Sequence, residues 1–439
     1  MKIQRILPAA LHLLLVSIVC FCASAQSYPP VTSPIVGVCT GRDPDAQALD
    51  QVGAAGLASV RFDLGWKYVE TVKGAYTIPA ASETAVNNAL SRGMHPVIIL
   101  DYGNPLYGIQ KPRTDAQIAA YRNYASFVVS HFRQKVKYFE IWNEWDSTVG
   151  TTETVGGRAD EYLKLVKTVY PALKKIAPSA VFMIGSITYA SLDNGYLDNL
   201  LQLHPLSYGD GLSIHPYAYS RASGKTPEAW INWVASISDK VARMNAGATY
   251  PIYVTEVGWP TSINDDGVSQ SEQANYLARA LLLSKWVGTI KGVWLYQLND
   301  IVSGGGTDPF DKEMNFGLLY TTDVAKQASQ AVADVADIVR NSTRVDRLNL
   351  GASGVYDMAY TMKASNGTTY RRHVVWSATD ASAAARRRLR PNCDATKSTV
   401  DILRAGTGQT YSQNCGQAIY VDETPLVFDK NLASLDLLN

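Results

Sequence analysis

The chain lacks the marks of several common protein classes. No G-x-G-x-x-G follows its first strand-like run, which argues against a dinucleotide-binding sheet. There is no charge excess: 40 basic against 39 acidic side chains leave a formal net charge of +1, so no global field draws nucleic acid or an anionic membrane. After residue 25 no stretch offers the run of about 18 apolar residues that a membrane span needs. Cysteine is scarce, with five in 439 residues and no spacing that suits zinc. No cofactor and no metal is expected. What remains is ordinary globular composition, 46% hydrophobic and 18% charged, enough for one large domain and a small one. Aromatics stand out, with 25 Tyr and 9 Trp, types that stack sugars or bases but also fill cores.

The N-terminus reads MKIQRILPAALHLLLVSIVCFCASAQ. Lys2 and Arg5 precede an apolar run, and Ala23-Ser24-Ala25 forms a small-residue cleavage site. Residues 1–25 are expected to be a signal peptide, leaving a secreted or periplasmic chain without stable membrane insertion; an uncleaved anchor is the competing reading. Cys20 and Cys22 would leave with the signal. Export permits oxidation, and Cys393 and Cys415 lie close together in one region, so a Cys393–Cys415 disulfide is expected. Cys39 ends the apolar run IVGVC and is expected as a buried thiol.

Eight short apolar or β-branched runs alternate with helical patterns. They are IVGVC (35–39), SVRFDL (59–64), HPVIILDY (95–102), VKYFEIWNE (136–144), AVFMIGS (180–186), GLSIHPYAY (211–219), IYVTEVGW (252–259) and GVWLYQLND (292–300). Near-continuous apolar strands between helices imply a parallel sheet covered on both faces. Among the helices, Thr114 and Gln117 form a capping-box pattern, and Ile118, Tyr121, Ala125, Val128 and Phe132 follow on one stripe. Segments 271–286 and 324–340 are also helical. The fold expected over 26–342 is an α/β (β/α)8 TIM barrel, with an open doubly wound sheet as runner-up. Residues 343–439 change character: VYDMAYTMKA, TYRRHVVWSA, STVDILRA and QAIYVDETPLVFD read as strands, and ASAAARRRLR is the one helical candidate. A small antiparallel, sandwich-like β-domain packed on the last barrel helix is expected, in a monomer.

In such a barrel the chemistry sits at the C-terminal strand ends. Those ends are polar here: Arg61 and Asp63 on the second strand, Asn143-Glu144 on the fourth, His215 and Tyr217 on the sixth, Glu256 on the seventh, and Trp294, Tyr296, Gln297, Asn299 and Asp300 on the eighth. Buried charges need partners. An ion-pair network closing the barrel top is the plain reading. Two glutamates in one cavity also suit division of labour, one protonated as acid and one ionised beside Arg61, as glycoside hydrolysis requires.

With those residues in place, the chain resembles a clan A glycoside hydrolase over about 35–340. The resemblance rests on Asn143-Glu144 ending strand four, Glu256 ending strand seven 112 residues later, and VRFDLGWKYVETVKGAY around strand two. WNEWD, HPYAY, TEVGWPTS, FGLLY and the trailing β-domain are most similar to family thirty-nine, including its PslG-type exopolysaccharide endoglycosidases. The family five cellulases and mannanases are the second resemblance. It implies Glu144 as general acid/base, Glu256 as nucleophile, Asn143 on the sugar 2-hydroxyl and Tyr217 orienting Glu256. Arg61 would add positive potential, His215 would line the pocket and Trp294 would floor the cleavage subsite. Trp66, Tyr102, Asn104, Trp145, Tyr219, Trp259 and Gln297 are candidate sugar contacts. Asp146 is expected as a loop cap.

The function implied is a secreted retaining glycosidase that cleaves β-linkages in a polysaccharide, endo-acting and directed at an exopolysaccharide. The alternatives are a non-catalytic carbohydrate-binding barrel and a barrel isomerase or aldolase. The last lacks a convincing Schiff-base lysine or phosphate loop.

Overall fold

The computed structural model describes residues 34–108, 110–221, 224–302, 306–378 and 387–438. The expected signal peptide lies outside the described residues, as does most of the helical candidate ASAAARRRLR.

Eight parallel strands close a barrel: β1 (Ile35–Gly41), β2 (Ser59–Asp63), β3 (His95–Leu100), β4 (Tyr138–Ile141), β5 (Val181–Thr188), β6 (Gly211–His215), β7 (Ile252–Val257) and β8 (Ile290–Leu295). Closure is direct, since Val38 of β1 pairs with Val60 of β2 on one side and Leu295 of β8 on the other. All eight apolar runs read from the sequence are strands. Most end earlier than the runs do, because the polar residues at their ends have left the ladder.

The strands are apolar throughout because both faces are covered. The helix Asp115–Phe132 buries Ile118, Tyr121, Ala125, Val128 and Phe132, and its capping box of Thr114 and Gln117 is formed. Inside the barrel, Ile35, Cys39, Val97, Tyr138, Met183, Tyr253 and Trp294 form a closed plug. Glycine makes room for the Trp294 indole: a Cβ on Gly37 would stand 2.5 Å from it, and one on Gly292 2.4 Å. The barrel is therefore solid below its C-terminal rim.

The last barrel helix, Gln327–Asn341, passes straight into the β-domain at Ser342. Among the described residues nine strands follow: β9 (Ser342–Leu348), β10 (Val355–Lys363), β11 (Thr369–Ser377), β12 (Arg387–Cys393), β13 (Thr399–Arg404), β14 (Gln409–Asn414), β15 (Ile419–Val421), β16 (Leu426–Phe428) and β17 (Leu432–Leu438). They make a six-stranded sheet, β14-β13-β16-β11-β10-β9, and a three-stranded one, β15-β12-β17, antiparallel throughout. Arg387–Arg390, within the helical candidate, are strand instead, because β15 and β17 pair with them from either side. Val375, Val400, Ile402, Leu389 and Val421 share one core between the sheets. The expected disulfide is present and joins the end of β12 to the residue after β14, with Cα atoms 5.7 Å apart.

The other face of the larger sheet continues the barrel's own core through Met358, Tyr360, Val374 and Trp376. Arg279 pairs with Glu228 at the seam, and Trp376 donates to the same carboxylate at 2.7 Å. Among the described residues no helix is long and apolar enough to cross a membrane.

Candidate active site

The rim is built from short, irregular departures at the strand ends. After Ile141 the chain turns sharply, and Trp142 and Glu144 take left-handed backbone angles, φ 69° and 48°. For bulky L-residues this costs roughly 1–2 kcal/mol each. Neighbours hold the turn in place. The Trp142 ring packs against Tyr102, Tyr121 and Trp145, the Trp142 backbone N–H donates to Leu100 O, and Ser147 N–H donates to Glu144 O. The turn lifts Glu144 onto the cavity side while the indoles stay beneath.

Arg61 of β2 lies buried at the centre. Its Nη1 donates to Glu256 Oε1 at 2.7 Å, Nε to Glu140 Oε2 at 2.8 Å, and Nη2 to Asn143 Oδ1 at 2.9 Å. The Tyr217 hydroxyl donates to the other oxygen of Glu256, Oε2, at 2.7 Å. Asn143 Nδ2 in turn donates to the Tyr102 hydroxyl at 2.8 Å. Glu256 is thus held from both sides, and the Asn143 amide is fixed in orientation.

Glu144 Oε1 lies 2.7 Å from His215 Nδ1, whose Nε2 lies 3.1 Å from Thr255 Oγ1. Thr255 donates its only hydroxyl proton to Glu140 Oε1 at 3.0 Å. It can therefore only accept from His215, so Nε2 carries a hydrogen. The short Glu144–His215 contact must then hold one further proton between carboxylate and imidazole. Burial raises the pKa of Glu144, the His215 hydrogen bond opposes the rise, and the net direction is up. Burial lowers that of His215, but the charges of Glu256 and Glu144 overcome it and the net direction is again up. The pair is thus a proton store facing the cavity. One oxygen of Glu144 and one of Glu256 lie within 4.8 Å of each other, and both residues remain slightly open to solvent. With His215 they are the grouping compact enough to ligate an ion among the described residues, although Arg61 and Tyr217 already engage both oxygens of Glu256.

The cavity above them has a volume of about 460 Å³. Arg61, Asp63, Tyr102, Asn143, Tyr189, Tyr217, Tyr219, Tyr296 and Phe316 share its wall with the two glutamates. His215 sits just behind it. Cys39 reaches its floor as a free thiol, pushed up strongly in pKa by burial, in keeping with an inert role. Asp146 ties its loop to the end of β5 by accepting from Thr188 N at 3.1 Å.

Five of the seven candidate sugar contacts lie elsewhere, and so does Trp294. Trp66 is buried, donates to Glu70 at 2.6 Å and stacks on Tyr107 and Tyr124. Asn104 caps the turn Pro105–Tyr107 and ties it to Glu70 O. Trp145 is buried against Trp142 and Tyr162, with Gly157 pressed on it. Trp259 is buried beside Trp230 and Tyr276, donating to Lys225 O at 2.7 Å. Gln297 is buried and off the cavity wall. Trp294 belongs to the plug, donating to Ser59 Oγ at 2.9 Å, and does not floor the subsite. Tyr296 stands there instead. The signal was available, because residues two apart on a strand share a face, and Tyr296 sits roughly 7 Å nearer the rim. Tyr189, Phe316 and the supports Glu140 and Thr255 carried no comparable mark: Tyr189 opens the short helix Tyr189–Asp193, Phe316 comes from a loop, and the others read as wall.

A closed (β/α)8 barrel with glutamates at the ends of β4 and β7, facing one cavity beside a buried arginine, defines a clan A glycoside hydrolase. The family model for cellulase (glycosyl hydrolase family 5) matches residues 26–289, more than half of the chain. The chain belongs to that family and is an O-glycosyl hydrolase. The clan read from the sequence holds, and the family is the one placed second there. The family placed first appears among solved structures: a family 39 glycoside hydrolase from Bacteroides cellulosilyticus WH2 is 24% identical, with a TM-score of 0.72 over 92% of this chain and 83% of that one. A GH5_18 protein from Streptomyces cattleya, solved with GlcNAc, is 18% identical, with a TM-score of 0.56 over 72% and 82%. A glucosidase from Croceicoccus marinus is 11% identical, with a TM-score of 0.59 over 94% and 98%. These likenesses concern the fold. No curated protein matches the chain at a significant level.

Proposed function

We propose that the protein is a retaining β-glycosidase that cuts within a polysaccharide, with Glu256 as nucleophile and Glu144 as acid/base. The observation that carries this is the approach of the two carboxylates, with oxygens within 4.8 Å. Direct attack on the anomeric carbon needs carboxyl groups about 5–5.5 Å apart, whereas the water-inserting, inverting arrangement needs about 6.5–9.5 Å. In the first step Glu256 attacks the anomeric carbon. The glycosidic C–O bond breaks, and the proton held between Glu144 and His215 passes from Glu144 to the leaving oxygen. In the second, Glu144 takes a proton from water, which attacks the same carbon and frees Glu256. Asn143, fixed by Arg61 and Tyr102, would bond the 2-hydroxyl, and Arg61 and Tyr217 would hold Glu256 in line.

A polymer substrate is supported by the length of the groove, since a second cavity adjoins the first at Gly41, Asp63 and Tyr102. An extracellular or periplasmic location is supported by the Cys393–Cys415 disulfide, which persists in an oxidising compartment, and an exopolysaccharide is a target within reach there. The test is reducing-end release from a panel of purified polysaccharides. Glu256→Gln should fall to background on every substrate. Glu144→Ala should lose about 10²–10⁴-fold on polymer but much less on aryl glycosides, whose leaving groups need little acid help. Residual polymer cleavage by Glu256→Gln, or equal loss on both substrates by Glu144→Ala, would remove the respective role.

A further inference from the structure

The second cavity is the larger of the two, about 1250 Å³ against about 460 Å³, and nothing in the proposed chemistry uses it. Its wall carries three carboxylates: Asp43 just after β1, Asp63 ending β2 and Asp101 just after β3. Asp101 is completely buried, and its carboxyl adjoins that of Asp63. Apart from a proton shared with Asp63, no donor among the described residues reaches either oxygen of Asp101, and none reaches Oδ1 of Asp43. Buried polar groups are nearly always paired, and unpaired ones call for an explanation. Arg61, the nearest guanidinium, is committed to Glu140, Glu256 and Asn143. The cavity's own cations, Arg42 and Lys67, are exposed, and Lys67 Nζ lies 4.9 Å from the ring centre of Tyr68. Tyr68, 63% exposed on the same wall, offers a flat apolar face. The result is a hollow with room for more than one sugar residue, an aromatic side and acceptors that lack donors.

We propose that this cavity is a second sugar subsite that selects by charge, accepting a residue that turns hydrogen-bond donors, best of all an ammonium, towards Asp63 and Asp43, and refusing a uronate. The inference rests on the hydrolase reading above. A uronate would set its carboxylate against Asp43 and against the charge left on the Asp63–Asp101 pair, which share one proton. A neutral sugar supplies hydroxyl donors, and an amine-bearing one also supplies the missing positive charge.

The experiment is calorimetric binding to the Glu256→Gln protein of three β-1,4-linked trisaccharides, of glucosamine, glucose and glucuronate. The expected order is glucosamine, glucose, glucuronate, with about tenfold or more between the ends. Adding Asp63→Asn, or separately Asp43→Asn, should compress that range; two variants guard against one that fails to fold. Equal or tighter binding of the glucuronate chain, an order that survives both substitutions, or no binding by any of the three would overturn the proposal. Turnover of an aryl β-glycoside by the unaltered protein separates the two readings. Charge-ordered binding without turnover would leave the subsite and remove the hydrolase, and turnover without charge order would do the reverse.

Discussion

The proton between Glu144 and His215 gives the site a pH signature. Glu144 must be protonated to act as acid, so the rate falls on the alkaline side as that proton is lost. Burial drives its pKa up, and the His215 hydrogen bond and charge pull against burial. With His215→Asn the main downward influence is gone, so the alkaline limb of kcat/KM should move to higher pH. A limb that stays or moves down would take Glu144 out of the acid role. The cavity residues were legible where a charged or amide side chain ends a buried strand: Arg61, Asn143, Glu144, His215 and Glu256 have no reason to be there unless they meet. The indoles were not legible. Trp66, Trp145 and Trp259 are apolar residues in a rim that is itself roofed by helices and loops, so sequence gives no inside or outside for them. The left-handed backbone at Trp142 and Glu144 also breaks the two-residue alternation from which direction is read.

Among the elements, every barrel strand was legible because a strand covered on both faces must be apolar along its length. In the β-domain the edges escaped notice. β9 (STRVDRL) and β14 (QTYSQN) bound the six-stranded sheet and carry mostly exposed polar side chains, as edge strands that discourage further pairing do. β12 was hidden by Pro391, a residue rarely found in a middle strand. Pro391 lies past the part that β15 covers, so the missing N–H costs no pairing there. The link from β12 to the end of β14 fastens the smaller sheet to the larger. The 22-residue separation implies about 3 kcal/mol of stabilisation by chain-entropy reasoning. Cys393→Ala with Cys415→Ala should lower unfolding free energy by that amount in denaturant titration, with little change in turnover, since the link lies outside both cavities. A loss of turnover equal to the loss in the Glu144 variant would contradict this separation.

At the scale of the molecule the barrel and the β-domain share one core, and the Glu228–Arg279–Trp376 cluster lies in the seam. Removing one member of a buried ion pair strands the other, at a cost of about 3–5 kcal/mol. Arg279→Met should therefore lower the melting temperature of the whole protein in a single transition. Two separated transitions in the unaltered protein, one for each domain, would show that the seam does not couple them. The seam also concerns the order in which the chain is made. Synthesis runs from the N-terminus, so the barrel is complete while Met358, Tyr360 and Trp376 are still to come. During that interval its flank along Gln270–Ser284 is bare, and the smaller sheet waits for β17, the latest of its three strands in chain order. A ribosome that stops early thus releases a finished catalytic barrel with an adhesive side, and the fate of such fragments rests with whatever chaperone or protease meets them first.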